Sequence, residues 1–169
     1  DMTQLEPYIQ NPNRNVVRML LKTLAYEHQD DLLPAKWEIE HIFPQKWQTN
    51  YFPDEPDATI KEKIEHIGNK LPFEKKLNIV AGNGYFGKKK KEYIASKIVI
   101  TKAMGTSDVM DWNLESITKR DIRVSDEVVK IMNRWNNEYL NTPVSEGKAG
   151  EPSEEELAQI EKFKKNGWI

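Results

Sequence analysis

Two stretches of this sequence read as strand, and both are short. From Trp37 to Phe43 the residues Trp37 and Ile39 alternate with Glu38 and Glu40 until Pro44 ends the run, and Leu71 to Phe73 makes a second apolar stretch. The other periodic segments repeat their apolar residues at helical spacing. Val16, Val17, Leu20, Leu21, Leu24 and Ala25 follow the cap residue Asn13 and predict a helix to about His28. Further helices are predicted over Ile60 to Ile67, stopped by Gly68, and over Glu74 to Ala81, ended at Gly82-Asn83-Gly84. A lysine-rich helix is predicted from Lys88 to Met104, followed by two more over Leu114 to Arg120 and Ser125 to Leu140. Asn50 to Thr59, with Pro53 and Pro56, reads as a loop. The expected fold class is therefore α+β and mostly α-helical, with a strand, connector, strand and helix at residues 36–82 surrounded by helices.

The chain has 169 residues, 38% of them hydrophobic, enough for one core of ordinary size with a small appendage. It contains no cysteine, so packing rather than disulfides or cysteine-rich zinc knuckles must hold it. That composition is compatible with an intracellular, cytoplasmic protein. No apolar run approaches 18 residues and no signal-peptide pattern is present, so no membrane span is expected. From Thr142 to Pro152 the composition turns to Pro, Gly, Ser and charge. This divides a main domain, residues 1–141, from a linker, 142–152, and a last helix in 153–169 that Ser153 and Glu156 would open as a capping box. The first residue is Asp rather than Met, which suggests a processed chain or a domain cut from something longer. Net charge is −2, but Lys61 to Lys102 holds eleven lysines and four acids, +7 locally against −9 elsewhere. A basic middle lies between acidic ends.

The stretch Glu40-His41-Ile42-Phe43-Pro44-Gln45, followed by Gly68-Asn69 and Leu77-Asn78, resembles an HNH nuclease motif. That resemblance implies a ββα-metal site, with an acid and a histidine adjoining at the end of the first strand, an asparagine at the second, and an Asn or His on the following helix. The order continues with Phe86-x-x-Lys89 and Tyr93, then Trp112, Ile117, Arg120 and Trp135. Over Asn13 to Trp135 it is similar to the C-terminal nuclease domain of GmrSD-type, modification-dependent (type IV) restriction systems. The resemblance implies a DNA endonuclease acting on double-stranded DNA, modified DNA included, and an N-terminal NTP-binding sensor domain in cis or in trans.

The residue types suit that chemistry. Phosphodiester hydrolysis needs a base for water, and an imidazole with an unperturbed pKa of about 6.5 can serve at neutral pH, which makes His41 the expected base. A hard ion, Mg²⁺ or Mn²⁺, prefers carboxylate and amide oxygens, which Glu40 and Asn78 would supply. Asn83 competes with Asn78, but its Gly-flanked position reads as turn chemistry. Adjacent strand residues point to opposite faces, so Glu40 and His41 converge only if the strand distorts. The Asn69 side chain or a backbone carbonyl would then fix the imidazole tautomer. Lys89, at the family's Phe-x-x-Lys position, is expected at the scissile phosphate, with Lys88, Lys90 and Lys91 on neighbouring phosphates. A run of lysines is more often a solvated helix face, and the second Glu-His-Ile tripeptide at Glu65-His66-Ile67 shows that such a pair alone is a weak signal. His66 reads as a satisfied histidine and His28 as a helix C-terminal one. Trp37 and Trp47 read as core or interface residues that bracket the motif, with DNA contact as the alternative. The competing functions are a DNA-binding module with a degenerate site and an all-helical adaptor for protein partners.

Overall fold

The computed structural model describes residues 13–48, 55–141 and 154–165. Helix α1, Arg14–His28, starts at Asn13, whose side-chain oxygen accepts from the backbone N–H groups of Asn15 and Val16. Strand β1, Trp37–His41, ends two residues before the expected Phe43. Helix α2 spans Asp57–Ile64, so the predicted loop stops short of Thr59 and the helix ends before Gly68. A single 3-10 turn, Ile67–Asn69, leads into β2, Lys70–Glu74. Helix α3, Lys75–Ala81, packs against both strands. After Gly82, at φ +53°, come α4, Phe86–Ile94, and α5, Val99–Thr106. Helix α6 runs Leu114–Asn141 and α7 runs Glu154–Lys165. The predicted linker 142–152 and Ser153 lie outside the described residues.

The protein is α+β and mostly helical, as its periodicity predicts, and the antiparallel pair of strands has the register Glu40 opposite Leu71 and His41 opposite Lys70. Two strands alone are marginal in water, and here both faces are covered. Leu71 and Phe73 belong to one core with Ile42, Phe43, Phe86, Tyr93, Trp112 and Ile117. Ile39 and Trp37 pack against a second core built from α1 and α6, with Leu21, Leu24, Ile67, Val124 and Val128.

Two helix predictions are corrected. The lysine-rich segment is two helices because Glu74 captures the break: its carboxylate accepts from Ser96 Oγ at 2.8 Å and from the Lys97 N–H at 2.6 Å. In the other direction, Leu114–Arg120 and Ser125–Leu140 form one continuous helix. The polar pair Arg120-Asp121, at the break between the two predicted segments, is buried in it. Arg120 donates to the carbonyls of Ile67, Gly68 and Lys70, and Asp121 accepts from the Gly68 N–H at 2.7 Å and pairs with His66 Nδ1 at 2.8 Å. Burial pulls the Arg120 guanidinium down to about 10, which leaves it charged at neutral pH. The turn before β2 is thereby fastened to α6. Gly68 is required for this approach, since a Cβ there would lie 2.3 Å from the Ile117 carbonyl oxygen. The chain divides into two compact units, with the boundary inside α6 between Asn133 and Arg134.

Candidate active site

His41 closes β1 and faces a cleft of about 330 Å³ lined by Arg14, Val17, Glu38, Ile39, Gln45, Glu65 and Lys70. Its side chain is 16% exposed, sheltered but reachable from solvent. Nε2 lies 3.3 Å from Glu65 Oε2, and the Gln45 amide nitrogen is 3.5 Å from the same ring nitrogen and 3.3 Å from Glu65 Oε1. Lys70, across the strand pair, places its ammonium 3.0 Å from Glu65 Oε2 and donates to the Glu65 carbonyl at 2.6 Å. Burial lowers the imidazole pKa and Glu65 opposes it; the net direction is down from 6.5. His41 is therefore neutral at neutral pH, the form a base needs.

Glu40 takes the opposite side of β1. The strand does not distort, so its carboxylate enters the core, 4% exposed, and meets the Lys89 ammonium and the Tyr93 hydroxyl, both 2.7 Å from Oε1. Lys89 is 1% exposed and also donates to the backbone carbonyl of His41 at 2.5 Å. Burial lowers its pKa while Glu40 raises it, with a net lowering. Burial and the neighbouring Glu40 charge together push the Tyr93 phenol well up.

Asn69 is fully enclosed and spends its side chain on the backbone. Its oxygen accepts from the Phe43 N–H at 2.7 Å and from the Trp112 indole at 3.2 Å, and its amide donates to the Phe43 and Ile64 carbonyls, each at 3.0 Å. It therefore holds the loop that leaves His41, and does not touch the ring. Asn78 stands half-buried on α3.

The arrangement thus separates residues that the sequence grouped. His41 lies in the cleft, Glu40 and Lys89 form a pair beneath it, and Asn69 braces the following loop. An ion held by Glu40 would sit beside the Lys89 ammonium at contact distance, so the residues as arranged do not fit a Glu40-centred divalent ion. Among the described residues no three His, Asp or Glu side chains are grouped to hold a metal. Of the basic run, Lys88 and Lys91 are exposed, whereas Lys90 donates to the carbonyls of Ser107 and Val109 at 2.6 and 2.7 Å. Trp47 packs on the Phe43 side of the core, and Trp37 lies under the Arg18 guanidinium, 3.9 Å from the ring centroid. His28 pairs with Glu127 at the end of α1. Asn83 is exposed in the turn between α3 and α4.

Sequence reasoning missed Glu65 and Lys70. Glu65 lies in the second Glu-His-Ile tripeptide, read there only as a warning. Its 24-residue separation from His41 carries no local periodicity.

An α+β domain with a strand-end histidine above two strands and a packed helix is the frame within which the comparisons fall. The model of the GmrSD restriction endonucleases, C-terminal domain, matches residues 3–124, and the chain belongs to that family. No curated protein and no solved structure matches it significantly. Membership assigns the chain to the effector domain of restriction endonucleases, hydrolases that act on DNA. Among the described residues no helix is long and apolar enough to cross a membrane.

Proposed function

We propose that this domain hydrolyses DNA phosphodiester bonds as an HNH-type nuclease, with His41 as the general base. The observation that carries the reading is the neutral, sheltered imidazole at the end of β1, open to a cleft, in a chain of a restriction-endonuclease family. His41 takes a proton from water, the water oxygen bonds to phosphorus, the ester P–O bond breaks, and the leaving oxygen is protonated from solvent. Arg14, largely exposed at the same cleft, supplies positive charge to the phosphate. The bound substrate is a duplex, including modified DNA, delivered by an NTP-binding sensor domain in cis or in trans.

The test is plasmid nicking across Mg²⁺ and Mn²⁺ concentrations and in EDTA. His41→Ala is expected to abolish cleavage with duplex affinity nearly unchanged. His66→Ala removes an imidazole held by Asp121 in the interior, so it should lose stability yet keep most of its rate per folded molecule. Parental cleavage by His41→Ala would end the proposal. Strict Mg²⁺ or Mn²⁺ dependence would require Glu40 to leave Lys89 if Glu40 and Asn78 hold the ion. A second reading, a DNA-binding module with an inactive site, draws support from Glu40 being sealed under Lys89. Duplex binding without nicking at any divalent ion concentration would establish it.

A further inference from the structure

We infer that Glu65 is the positioning residue for His41: its carboxylate takes the Nε2–H of the imidazole and leaves Nδ1 as the nitrogen that accepts the proton from water. The inference rests on the nuclease reading and adds a residue and an atom to it.

The Glu65 side chain is 44% exposed, but its backbone is held in place and its carboxylate is engaged by several partners. Glu65 caps the C-terminus of α2, with its N–H bonded to the Glu62 carbonyl, and its own carbonyl is held by Lys70. The next residue, His66, is tied through Asp121 to α6. Its two carboxylate oxygens are divided among three partners: Oε1 takes the Gln45 amide, and Oε2 takes Lys70 and faces His41. Partial burial pulls the Glu65 carboxyl up, but Lys70 and His41 outweigh it and hold it below the ordinary range, so it is ionised at neutral pH. An ionised carboxylate accepts only, which selects the tautomer with hydrogen on Nε2, and the Gln45 amide then donates to Glu65 Oε1 at 3.3 Å and not to the ring nitrogen at 3.5 Å. Among the described residues no protein group is hydrogen-bonded to Nδ1. The 3.3 Å contact is long for a hydrogen bond, as such pairs often are before substrate closes the site.

Lys70 is the obvious rival explanation for Glu65, as a simple ion pair. The geometry argues for more, because His41 and Lys70 are register partners across the sheet and reach the same oxygen from neighbouring strands. Loss of Glu65 therefore frees the ring as well as the lysine.

The experiment uses the full chain labelled with ¹⁵N-histidine at about pH 8, where imidazole is neutral, and assigns the His41 signals with His41→Ala. The parent is expected to show a protonated-type Nε2 and an unprotonated-type Nδ1. In Glu65→Ala and Glu65→Met, which leave Nε2 without a carboxylate acceptor, the two shifts should move towards each other as both tautomers become populated. In parallel, the single-turnover rate at saturating duplex should fall roughly ten- to a hundredfold, part of the ~10²–10⁴ that a positioned base contributes, with duplex Kd within about twofold. Should Glu65→Ala fail to fold, Glu65→Met, which keeps much of the length without a strong acceptor, decides. Unchanged ring shifts in the folded variants overturn the inference whatever the rate does, and so do moved shifts with a parental rate. Moved shifts in a protein whose parent cleaves no DNA would uphold the Glu65–His41 arrangement and overturn the nuclease reading instead.

Discussion

Lys89 occupies a position where the family resemblance suggests phosphate contact, yet its ammonium is enclosed with the Glu40 carboxylate and the His41 carbonyl. Removing one member of a buried pair strands the other's charge, which typically costs about 3–5 kcal/mol. Lys89→Ala is expected to lower the unfolding free energy by about that amount in urea denaturation, with Tyr93 left, among the described residues, as the side-chain partner of Glu40. A loss below about 1 kcal/mol would show that Glu40 can shed its partner at little cost, as an exposed pair would. The place of His41 at a strand end was legible in the sequence, because Glu-His-Ile-x-Pro-Gln follows the alternation of a predicted strand. Which side each of its two leading residues faces was not. That depends on whether the strand stays regular, and pairing of His41 with Lys70 keeps it so.

The 3-10 turn Ile67–Asn69 joins the two halves of the site. It receives Arg120 and Asp121 from α6 and sends the Asn69 side chain to the loop after His41. Asn69→Ala would leave the Phe43 N–H and the Trp112 indole without their acceptor, at about 1–3 kcal/mol for each buried donor stranded. The expected result is a less stable protein whose cleavage falls more than its duplex affinity, because the loop carrying Gln45 loosens while no residue meeting DNA has changed. Thermal melts together with single-turnover rates and duplex binding check it; a melt like the parent's would mean the loop is held by other contacts. At this scale the sequence supplied α1 and its Asn13 cap, both strands to within a few residues, and α3. It divided α6, in which Arg120 and Asp121 are buried against carbonyls and a Gly68 N–H that only the folded chain brings to them. It joined α4 to α5 because the carboxylate that captures their break comes from Glu74, more than twenty residues earlier.

Across the whole molecule, the eleven lysines between Lys61 and Lys102 do not form one uniform basic surface. Lys70, Lys89 and Lys90 have their ammonium groups on protein partners, whereas Lys61, Lys75, Lys76, Lys88, Lys91, Lys97 and Lys102 are exposed. A lysine that neutralises a duplex phosphate releases condensed counterions, so its loss lowers the slope of log affinity against log salt by about 0.9. Lys88→Ala and Lys91→Ala are each expected to show that reduction on duplexes of any sequence, and Lys89→Ala to show little of it. Binding titrations over a range of salt concentrations read this directly. Unchanged slopes for Lys88→Ala and Lys91→Ala would move the duplex to another face of the domain.

The sequence by itself determined the fold class, the capped first helix and the helix after the second strand, the strand-end histidine and the family, because periodicity, capping and a run of motif residues are local and survive without coordinates. The partners of that histidine were decided only by tertiary structure. The pleat sends Glu40 inward and His41 outward, and the covered sheet gives Glu40 a lysine and a tyrosine from α4. The turn fastened to α6 brings Glu65, 24 residues along the chain, to within 3.3 Å of the imidazole. Contacts across that separation follow from how two cores close on one small sheet, and linear spacing carries no record of that closure.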